Sequence, residues 1–245
     1  MICEDTRVSK RLIHLLTQKG LLPHKEYRYF SLHSHNSEQF LSQVSADFFL
    51  QEVVYMSDAG MPCVSDPGAV LVEYAQQHGI AYTVLPGANA LLTLFAASGS
   101  KSSQFFFYGF LPHKSKERAS ELLRLLAMRC DVILYESPHR LGMLLDELSR
   151  LAPNREIFLA KELTKMHEKF YRGSAEVLKE HLAEDSHKGE WSLLIYKNEG
   201  EKEPILTLGE LATLEIPPKI RAKILAKMSG RSIKECYEES HGFSV

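Results

Sequence analysis

Hydrophobic positions along the chain follow two patterns that alternate. Short, nearly continuous apolar runs rich in β-branched and aromatic residues predict buried strands. These runs are Val53–Met56, Tyr82–Leu85, Phe105–Phe110, Val132–Tyr135, Ile157–Ala160 and Trp191–Tyr196. Apolar residues at helical spacing predict helices in Lys10–Lys19, Ala88–Ala97, Lys116–Met128 and Arg140–Leu151. Strands and helices that alternate in this way favour an α/β fold over a helix bundle or a β-sandwich.

Two polar breaks divide this pattern. Ser98–Ser103 is small and polar, and Lys197–Pro204 is charged and contains a glycine and a proline, so both are predicted linkers. We therefore expect a parallel α/β domain over residues 1–103, a mixed α/β domain over residues 104–198 and a helical tail over residues 199–245. The predicted tail helices are Leu206–Leu214, Lys219–Met228 and Ile233–Glu239.

Acids and bases of the tail nearly balance in number, but its cations are clustered. Five cations gather within a short stretch: Lys219, Arg221, Lys223, Lys227 and Arg231. Such a patch suits contact with nucleic-acid phosphates, and it is also typical of a solvated helix face. Because the whole chain has a net charge of −2, any binding to RNA has to depend on a local patch of this kind.

Composition narrows the class of protein. Of 245 residues, 44% are hydrophobic and 24% are charged, which is typical of a globular protein. The four cysteines are far apart and lack paired metal-ligand spacing, which indicates a reducing cytoplasm. The longest apolar stretch, Leu91–Ala97, is too short to span a bilayer, and residues 2–7 lack the pattern of a signal peptide. We expect a cytoplasmic protein with no membrane partner.

The loop Ser57–Gly68 is the most unusual stretch of the sequence. It follows the predicted strand Val53–Met56, precedes a helix predicted to begin near Ala69, and contains two aspartates, two glycines and two prolines. In an open α/β sheet, ligands bind in loops beyond the carboxyl ends of strands, and glycines let a ligand approach the main chain. The alternative is a tight connection in which the aspartates cap turns.

A second loop, Leu85–Ala90, repeats this arrangement of strand, Pro-Gly turn and helix. Its small side chains leave room for a flat ring, and the amino terminus of the helix supplies free amides. Alternatively, Asn89 is only a helix cap. We expect Ser57–Gly68 and Pro86–Ala90 to lie side by side at a cleft.

Charged side chains follow two later strands. Tyr135–Arg140 ends one of them, and Lys161–Glu168 follows the next. These segments contain the groups that are chemically able to accept a proton, namely Glu136, Glu162, Lys165 and His167. The alternatives are a structural ion pair in the first segment and a solvated hairpin in the second.

Two further polar clusters lie near the start of the chain, at Glu4–Arg7 and His33–Asn36. On a strand, His33 and His35 would share a face as a potential metal pair. No third ligand has a convincing spacing, so we predict no metal site.

Together these stretches resemble the tetrapyrrole-methylase superfamily and, within it, the branch that methylates ribosomal RNA of the small subunit. The most specific match is Ser57–Gly68 together with Glu136–Arg140, and Tyr108–Pro112 and Glu162–Glu168 also match in order. The resemblance implies two α/β domains with S-adenosylmethionine between them, and a homodimer. It also implies methylation of a cytidine ribose 2′-oxygen in the decoding region of 16S rRNA.

The resemblance also implies roles for individual residues. The implied cofactor contacts are Asp58, Ala59, Gly60, Pro62, Gly87, Ala88, Asn89, Ala90, Leu91, Tyr135 and Glu136. The candidates for RNA phosphate contacts are Arg7, Arg140, Lys161 and Lys165. This sequence departs from the family pattern at Met61 and at Ala88-Asn89, where threonine and proline-serine are usual.

Family members open with a strand and a Pro-Ile-Gly-Asn type loop before the stretch that corresponds to Glu4–Arg7. Here Met1 stands almost directly before Glu4, so we expect that opening to be missing and both stability and methyl transfer to suffer. Two other functions stay open: a carbon methyltransferase acting on a tetrapyrrole, and an RNA- or ribosome-binding remnant without catalysis.

Overall fold

The computed structural model describes residues 1–183, 187–198, 211 and 214–241. The chain forms two compact units, Met1–Lys197 and Asn198–Val245. Strands of the first unit form two sheets with helices packed around them, so the predicted α/β class is confirmed. The further division of this unit near residue 103 stays a prediction. Among the described residues, no helix is both long enough and apolar enough to cross a bilayer.

The first sheet is small and entirely parallel, with the strand order β2-β1-β3. Its strands are β1 (Ile2–Cys3), β2 (Phe30–Ser31) and β3 (Tyr55–Met56). The helices that accompany it are α1 (Thr6–Gln18), α2 (Ser37–Gln43), a 3₁₀ helix (Ala46–Leu50) and α3 (Ala69–Gln77). A core of Ile2, Leu32, Phe40 and Leu71 is buried beneath them. Because the three strands run in the same direction, their carboxyl ends share one edge, where ligands bind in such sheets.

The second sheet has five strands in the order β4-β5-β8-β6-β7. They are β4 (Phe105–Phe110), β5 (Asp131–Glu136), β6 (Ile157–Lys161), β7 (Lys169–Gly173) and β8 (Trp191–Ile195). Only β4 and β5 pair in parallel, and β8 lies antiparallel between β5 and β6. The helices around it are α4 (Ala90–Ser98), α5 (Ser115–Leu126), α6 (Leu141–Leu151) and α7 (Ala175–Ala183).

Residues of the central strands alternate between two apolar clusters, one on each face of this sheet. Leu134 and Leu193 belong to the cluster that contains leucines of α5, α6 and α7. Ile133 and Leu194 belong to the second cluster, with Leu91 and others of α4. Burial on both faces is why these strands read as continuous apolar runs in the sequence.

One predicted strand, Tyr82–Leu85, is wrong. The segment has no strand partner among the described residues, and Tyr82, Val84 and Leu85 are 49%, 51% and 76% exposed. An apolar run becomes a strand only when a neighbour takes up its backbone hydrogen bonds, and the sequence alone does not reveal that neighbour.

The tail contains two packed helices, α8 (Pro218–Ser229) and α9 (Ile233–His241), close to the predicted bounds. The predicted helix Leu206–Leu214 lies almost wholly outside the described residues. Gly230 ends α8 in the left-handed conformation with φ of 72°, and Ala222, Ala226 and Cys236 form a small core between the helices. Lys219, Lys223 and Lys227 recur every four residues and are exposed, so α8 presents one lysine-lined face.

Candidate cofactor and active site

Polar residues that follow β1 and β3 are joined at the shared edge of the small sheet. The Asp5 N–H donates to Asp58 Oδ1 at 3.1 Å, and the Asp58 N–H approaches Glu4 Oε2 at 3.4 Å. The structure thus brings the Glu4–Arg7 cluster against the Ser57–Gly68 loop. By contrast, His33–Asn36 closes on itself, because Asn36 Oδ1 accepts the His33 N–H at 2.7 Å.

The Ser57–Gly68 loop is held in a tight conformation. Cys63 and Ser65 both have left-handed φ values, 69° and 66°. At the end of the loop, Asp66 Oδ1 accepts hydrogen bonds from the Tyr55 hydroxyl at 2.8 Å and the Gly68 N–H at 2.7 Å. Burial and this contact with Asp66 raise the pKa of Tyr55 far above its ordinary value, so the phenol stays protonated as a donor.

Gly68 has no room for a side chain. A Cβ at this position would lie 2.3 Å from Tyr55 Cε1 and 2.8 Å from Asp66 Oδ1. We expect Gly68→Ala to lower the free energy of unfolding by about 1–3 kcal/mol, since the Tyr55 ring has to move. Urea denaturation followed by fluorescence of Trp191, the single tryptophan and a buried one, measures this loss.

Gly142→Ala is the matched control for that prediction. Gly142 lies in α6, and a Cβ there would meet nothing within 4 Å. Because alanine is the better helix former, we expect this variant to gain up to about 1 kcal/mol. If the Gly68→Ala and Gly142→Ala variants unfolded at the same urea concentration, the close packing of Gly68 would be contradicted.

The two predicted cofactor loops lie side by side, as expected. A Cβ on Gly60 would lie 3.5 Å from the Ala88 carbonyl oxygen, and one on Gly87 would lie 3.8 Å from Met61 Cα. Next to this contact α4 begins, and the Asn89 side chain caps it by accepting the Leu92 N–H at 3.1 Å. The glycines leave main-chain atoms of both loops uncovered at the point where they meet.

Tyr135 links the large sheet to these loops. Burial raises the pKa of this phenol, and the nearby Leu91 N–H at the start of α4 opposes that rise. Val64 and Leu163 pack against the same apolar cluster that contains Leu91. Residues of β5 and of the segments that follow β3 and β6 therefore pack against one apolar cluster to which α4 contributes.

Glu136 is buried in an ionic network rather than open to a ligand. Its side chain has no exposed surface, and Oε2 lies 3.0 Å from Nη2 of the buried Arg118. Oε1 accepts the Ser137 N–H at 2.8 Å and lies 3.3 Å from Arg140 Nε. Arg118 Nε also pairs with Glu147 at 2.7 Å. The predictions that Glu136 contacts the cofactor or takes a proton do not fit this geometry, because both oxygens face protein partners.

Arg140 also bonds to other groups of the protein. Its Nη2 donates to the carbonyl oxygens of Leu111 and Pro112 at 2.7 and 3.2 Å, and its side chain is 15% exposed. The guanidinium thus ties the segment after β4 to the end of β5. The prediction that Arg140 contacts RNA phosphates does not fit, since Nη2 faces main-chain acceptors, Nη1 lies 3.3 Å from His113 Nδ1 and Nε faces Glu136.

The Lys161–Glu168 segment forms a pinned loop. Glu162 and Thr164 have left-handed φ values of 51° and 63°, and Glu162 Oε1 accepts the Glu190 N–H at 2.7 Å. Lys165 Nζ lies 3.2 Å from Glu162 Oε1 and 2.8 Å from Glu190 Oε1. The hydrogen bond from the Glu190 N–H lowers the pKa of Glu162, and the Glu190 carboxylate raises the pKa of Lys165. At neutral pH both groups are therefore charged and poorly suited to accept a proton.

The remaining predicted site residues differ in how exposed their side chains are. Lys161 is 6% exposed, with its ammonium 5.3 Å from the centre of the Trp191 ring, so a phosphate cannot reach it. Arg7 is 89% exposed in its side chain, and its pair with Asp5 lowers the pKa of that carboxyl to about 2. His167 is exposed on the pinned loop. Among the described residues, no group of three His, Cys, Asp or Glu side chains could hold a metal ion.

Comparison with known proteins gives consistent matches. The family model described as Tetrapyrrole (Corrin/Porphyrin) Methylases matches residues 1–179. A protein of Helicobacter pylori named Ribosomal RNA small subunit methyltransferase I is 47% identical over 96% of this chain and 86% of its own length. One of the same name from Campylobacter fetus is 41% identical over 97% and 88%. A crystal structure of diphthine synthase, 14% identical, matches 69% of each chain with a TM-score of 0.54, which supports the fold alone.

Proposed function

Because the chain belongs to the tetrapyrrole methylase family and is an S-adenosylmethionine-dependent methyltransferase, we propose that it methylates the ribose 2′-oxygen of a cytidine in 16S rRNA. One observation carries the proposal: the similarity to the Helicobacter pylori small-subunit rRNA methyltransferase extends along nearly the whole chain, tail included. The acceptor RNA would lie in the small ribosomal subunit, which places the enzyme in the cytoplasm. The homodimer implied by the family is part of the proposal.

The cofactor would lie where the two glycine-containing loops meet. Its proposed contacts are Asp58, Ala59, Gly60, Pro62, Gly87, Ala88, Asn89, Ala90, Leu91 and Tyr135. Glycine at 60 and 87 leaves main-chain atoms open there, and the start of α4 adds a partial positive charge. The residues present therefore fit a flat, polar cofactor. When bound, S-adenosylmethionine supplies a methyl group activated on a sulfonium.

Residues of this chain mainly position the acceptor. As the ribose oxygen forms its bond to the methyl carbon, the carbon–sulfur bond breaks and the hydroxyl proton has to leave. Of the predicted bases, Glu136 is buried, and Glu162 and Lys165 are paired with each other. We keep the exposed His167 as the candidate that accepts this proton, directly or through a water. Lys165, charged and partly exposed, and Arg7 remain candidates for phosphate contacts.

The direct test uses the purified chain, S-adenosylmethionine with a labelled methyl group, and 30S subunits that lack this modification. We expect label in the 16S rRNA, released after nucleoside digestion as 2′-O-methylcytidine. Label on a base, or on a tetrapyrrole offered as acceptor, would contradict the proposal. Retention on 30S subunits with neither transfer nor binding of the cofactor would instead support an RNA-binding protein without catalysis.

The lysine face of α8 gives a separate prediction about RNA binding. We expect the triple variant Lys219→Gln, Lys223→Gln and Lys227→Gln to weaken binding to 30S subunits and to flatten its salt dependence. If all three contact phosphates, the slope of log affinity against log salt falls by about 2–3. Filter binding between low and moderate salt measures the slope.

The matched control for the tail replaces three exposed lysines elsewhere, Lys10, Lys19 and Lys25, with glutamine. This variant loses the same net charge outside the tail, and we expect its slope to stay near that of the unaltered protein. Equal slopes for all three proteins would leave α8 with a structural or dimer role.

A further inference from the structure

A β-bulge near the end of β4 determines which face of the large sheet Phe110 occupies. Phe107 pairs with Ile133, Gly109 with Leu134 and Phe110 with Tyr135, so Tyr108 is an extra residue. Gly109 has φ of 79°, a conformation that side chains rarely adopt. In a regular strand, residues 107 and 110 would point to opposite faces. With the bulge, both rings lie on the face of Ile133 and Tyr135, the face of α4 and the cofactor loops.

On that face Phe110 lies at the edge of an aromatic group that reaches the proposed cofactor site. Its ring centre is 5.7 Å from that of Tyr135, and the Phe107 ring is 5.0 Å from Tyr135 on its other side. Tyr135 in turn packs against the apolar cluster that contains Leu91 of α4. Phe110 itself is 57% exposed, so a large part of its ring is open to a ligand beside that site.

Buried contacts hold the backbone that carries the Phe110 ring. Leu111, the next residue, is 2% exposed, and its carbonyl oxygen accepts Arg140 Nη2 at 2.7 Å. Arg140 is held by Glu136, and Glu136 by the buried Arg118. A ring on so constrained a backbone loses little conformational freedom when something stacks on it, and pre-organisation of this kind favours binding.

Two lysines follow soon after the ring. Lys114 and Lys116 are exposed between the end of β4 and the first turn of α5. Aromatic side chains beside cations are the arrangement that binds unpaired nucleic-acid strands, because bases stack on the rings while cations attract the phosphates. Aromatic stacking is also how proteins hold unpaired RNA bases.

We propose that Phe110 is a stacking platform for an unpaired base of the RNA substrate, at or next to the methylated nucleotide. The inference rests on the proposed function, and it adds a specificity residue that touches the base rather than the ribose. The buried chain of Arg118, Glu136 and Arg140 then consists of positioning residues, which act through the backbone that carries the ring.

The test compares Phe110→Ala and Phe110→Trp in methyl transfer to 30S subunits. We expect Phe110→Ala to lower kcat/KM for the subunit about 10- to 100-fold, and Phe110→Trp to recover most of the activity. Calorimetric affinity for S-adenosylhomocysteine should stay within about twofold in both variants. Phe170→Ala, which alters another half-exposed aromatic on β7 of the same sheet, is the control expected to retain its kcat/KM.

A direct measurement of stacking uses the new tryptophan. The chain has one tryptophan of its own, which is buried, so the emission that Phe110→Trp shows beyond that of the unaltered protein reports position 110. We expect a single-stranded oligoribonucleotide that contains cytidine to quench it. If the unaltered protein transfers no methyl to 30S subunits while quenching persists, the proposed function fails and the platform stands.

Four results would overturn the inference. Unchanged kcat/KM in Phe110→Ala, or no quenching by RNA, would remove the stacking role. A parallel loss of S-adenosylhomocysteine affinity would assign the ring to the cofactor's adenine. A shift from dimer to monomer in sedimentation of Phe110→Ala would assign it to an interface between two copies of the chain.

Discussion

Replacing Arg118 with methionine is expected to lower the free energy of unfolding by about 3–5 kcal/mol. The guanidinium is fully buried in the interior and pairs with Glu136 and Glu147 at once. Methionine fills a similar volume but leaves the buried Glu136 carboxylate with Arg140 alone. Charges removed from water without a partner are among the most destabilising defects in proteins. Urea denaturation followed by Trp191 fluorescence measures the loss.

Arg124→Met is the matched control, since it alters another arginine of the same helix. Arg124 pairs with Glu121 at 2.9 Å, but their side chains are 49% and 32% exposed, so we expect a loss below about 1 kcal/mol. Adding Glu136→Gln to Arg118→Met removes the uncompensated charge and should restore part of the stability. Equal losses for the two methionine variants would show that the buried network contributes no more than a surface pair.

Gly60→Val is expected to abolish measurable binding of S-adenosylmethionine, a loss of about 100-fold or more. Gly60 has φ of 78°, where a β-branched residue is strained, and its Cβ would lie against the Ala88 carbonyl. The added methyl groups push apart the two loops proposed to hold the cofactor. Calorimetric titration with S-adenosylmethionine and S-adenosylhomocysteine measures the affinity.

Gly20→Val is the control that distinguishes damage to the cofactor site from the effect of a strained backbone. Gly20 follows α1, has a similar φ of 71°, and a Cβ there would meet nothing within 4 Å. Both variants should lose stability by about 1–3 kcal/mol from the strained backbone, but Gly20→Val should keep its affinity. Undiminished binding by a folded Gly60→Val protein would refute the placement of the cofactor between these loops.

The sequence predicted the strands that are buried on both faces. The strands β5, β6 and β8 are covered on both faces, so their apolar runs coincide with the observed strands to within about a residue. The two-residue strands β1 and β2 are too short to show any period, and pairing with neighbouring strands defines them. Tyr82–Leu85 has the composition of a strand but lacks the partner.

In the candidate site, too, the sequence predicted some features and not others. We predicted that Gly60 and Gly87 lie in neighbouring loops from the rule that ligand loops extend from the carboxyl ends of strands, although of these two loops just the first follows an observed strand, β3. The burial of Glu136 was not predicted, because its partner Arg118 lies on α5 rather than on β5 and no local pattern indicates the pair. Lys161 was misassigned for a similar reason, since burial under Trp191 depends on β8. Gly109 was the available sign of the bulge at Tyr108, because an isolated glycine within a strand often marks one.

The position of β8 has a consequence for how the protein is made. This strand lies between β5 and β6, and those two strands share no ladder of their own, although β8 comes last in the sheet along the chain. During synthesis, β5 and β6 therefore leave the ribosomal exit tunnel with unpaired edges, and Ile195 must emerge before the sheet can close. Pairing over such a separation is slow, and open strand edges invite aggregation. The nascent chain is thus most vulnerable in the interval between the synthesis of β5 and that of β8, when chaperones have the most to protect.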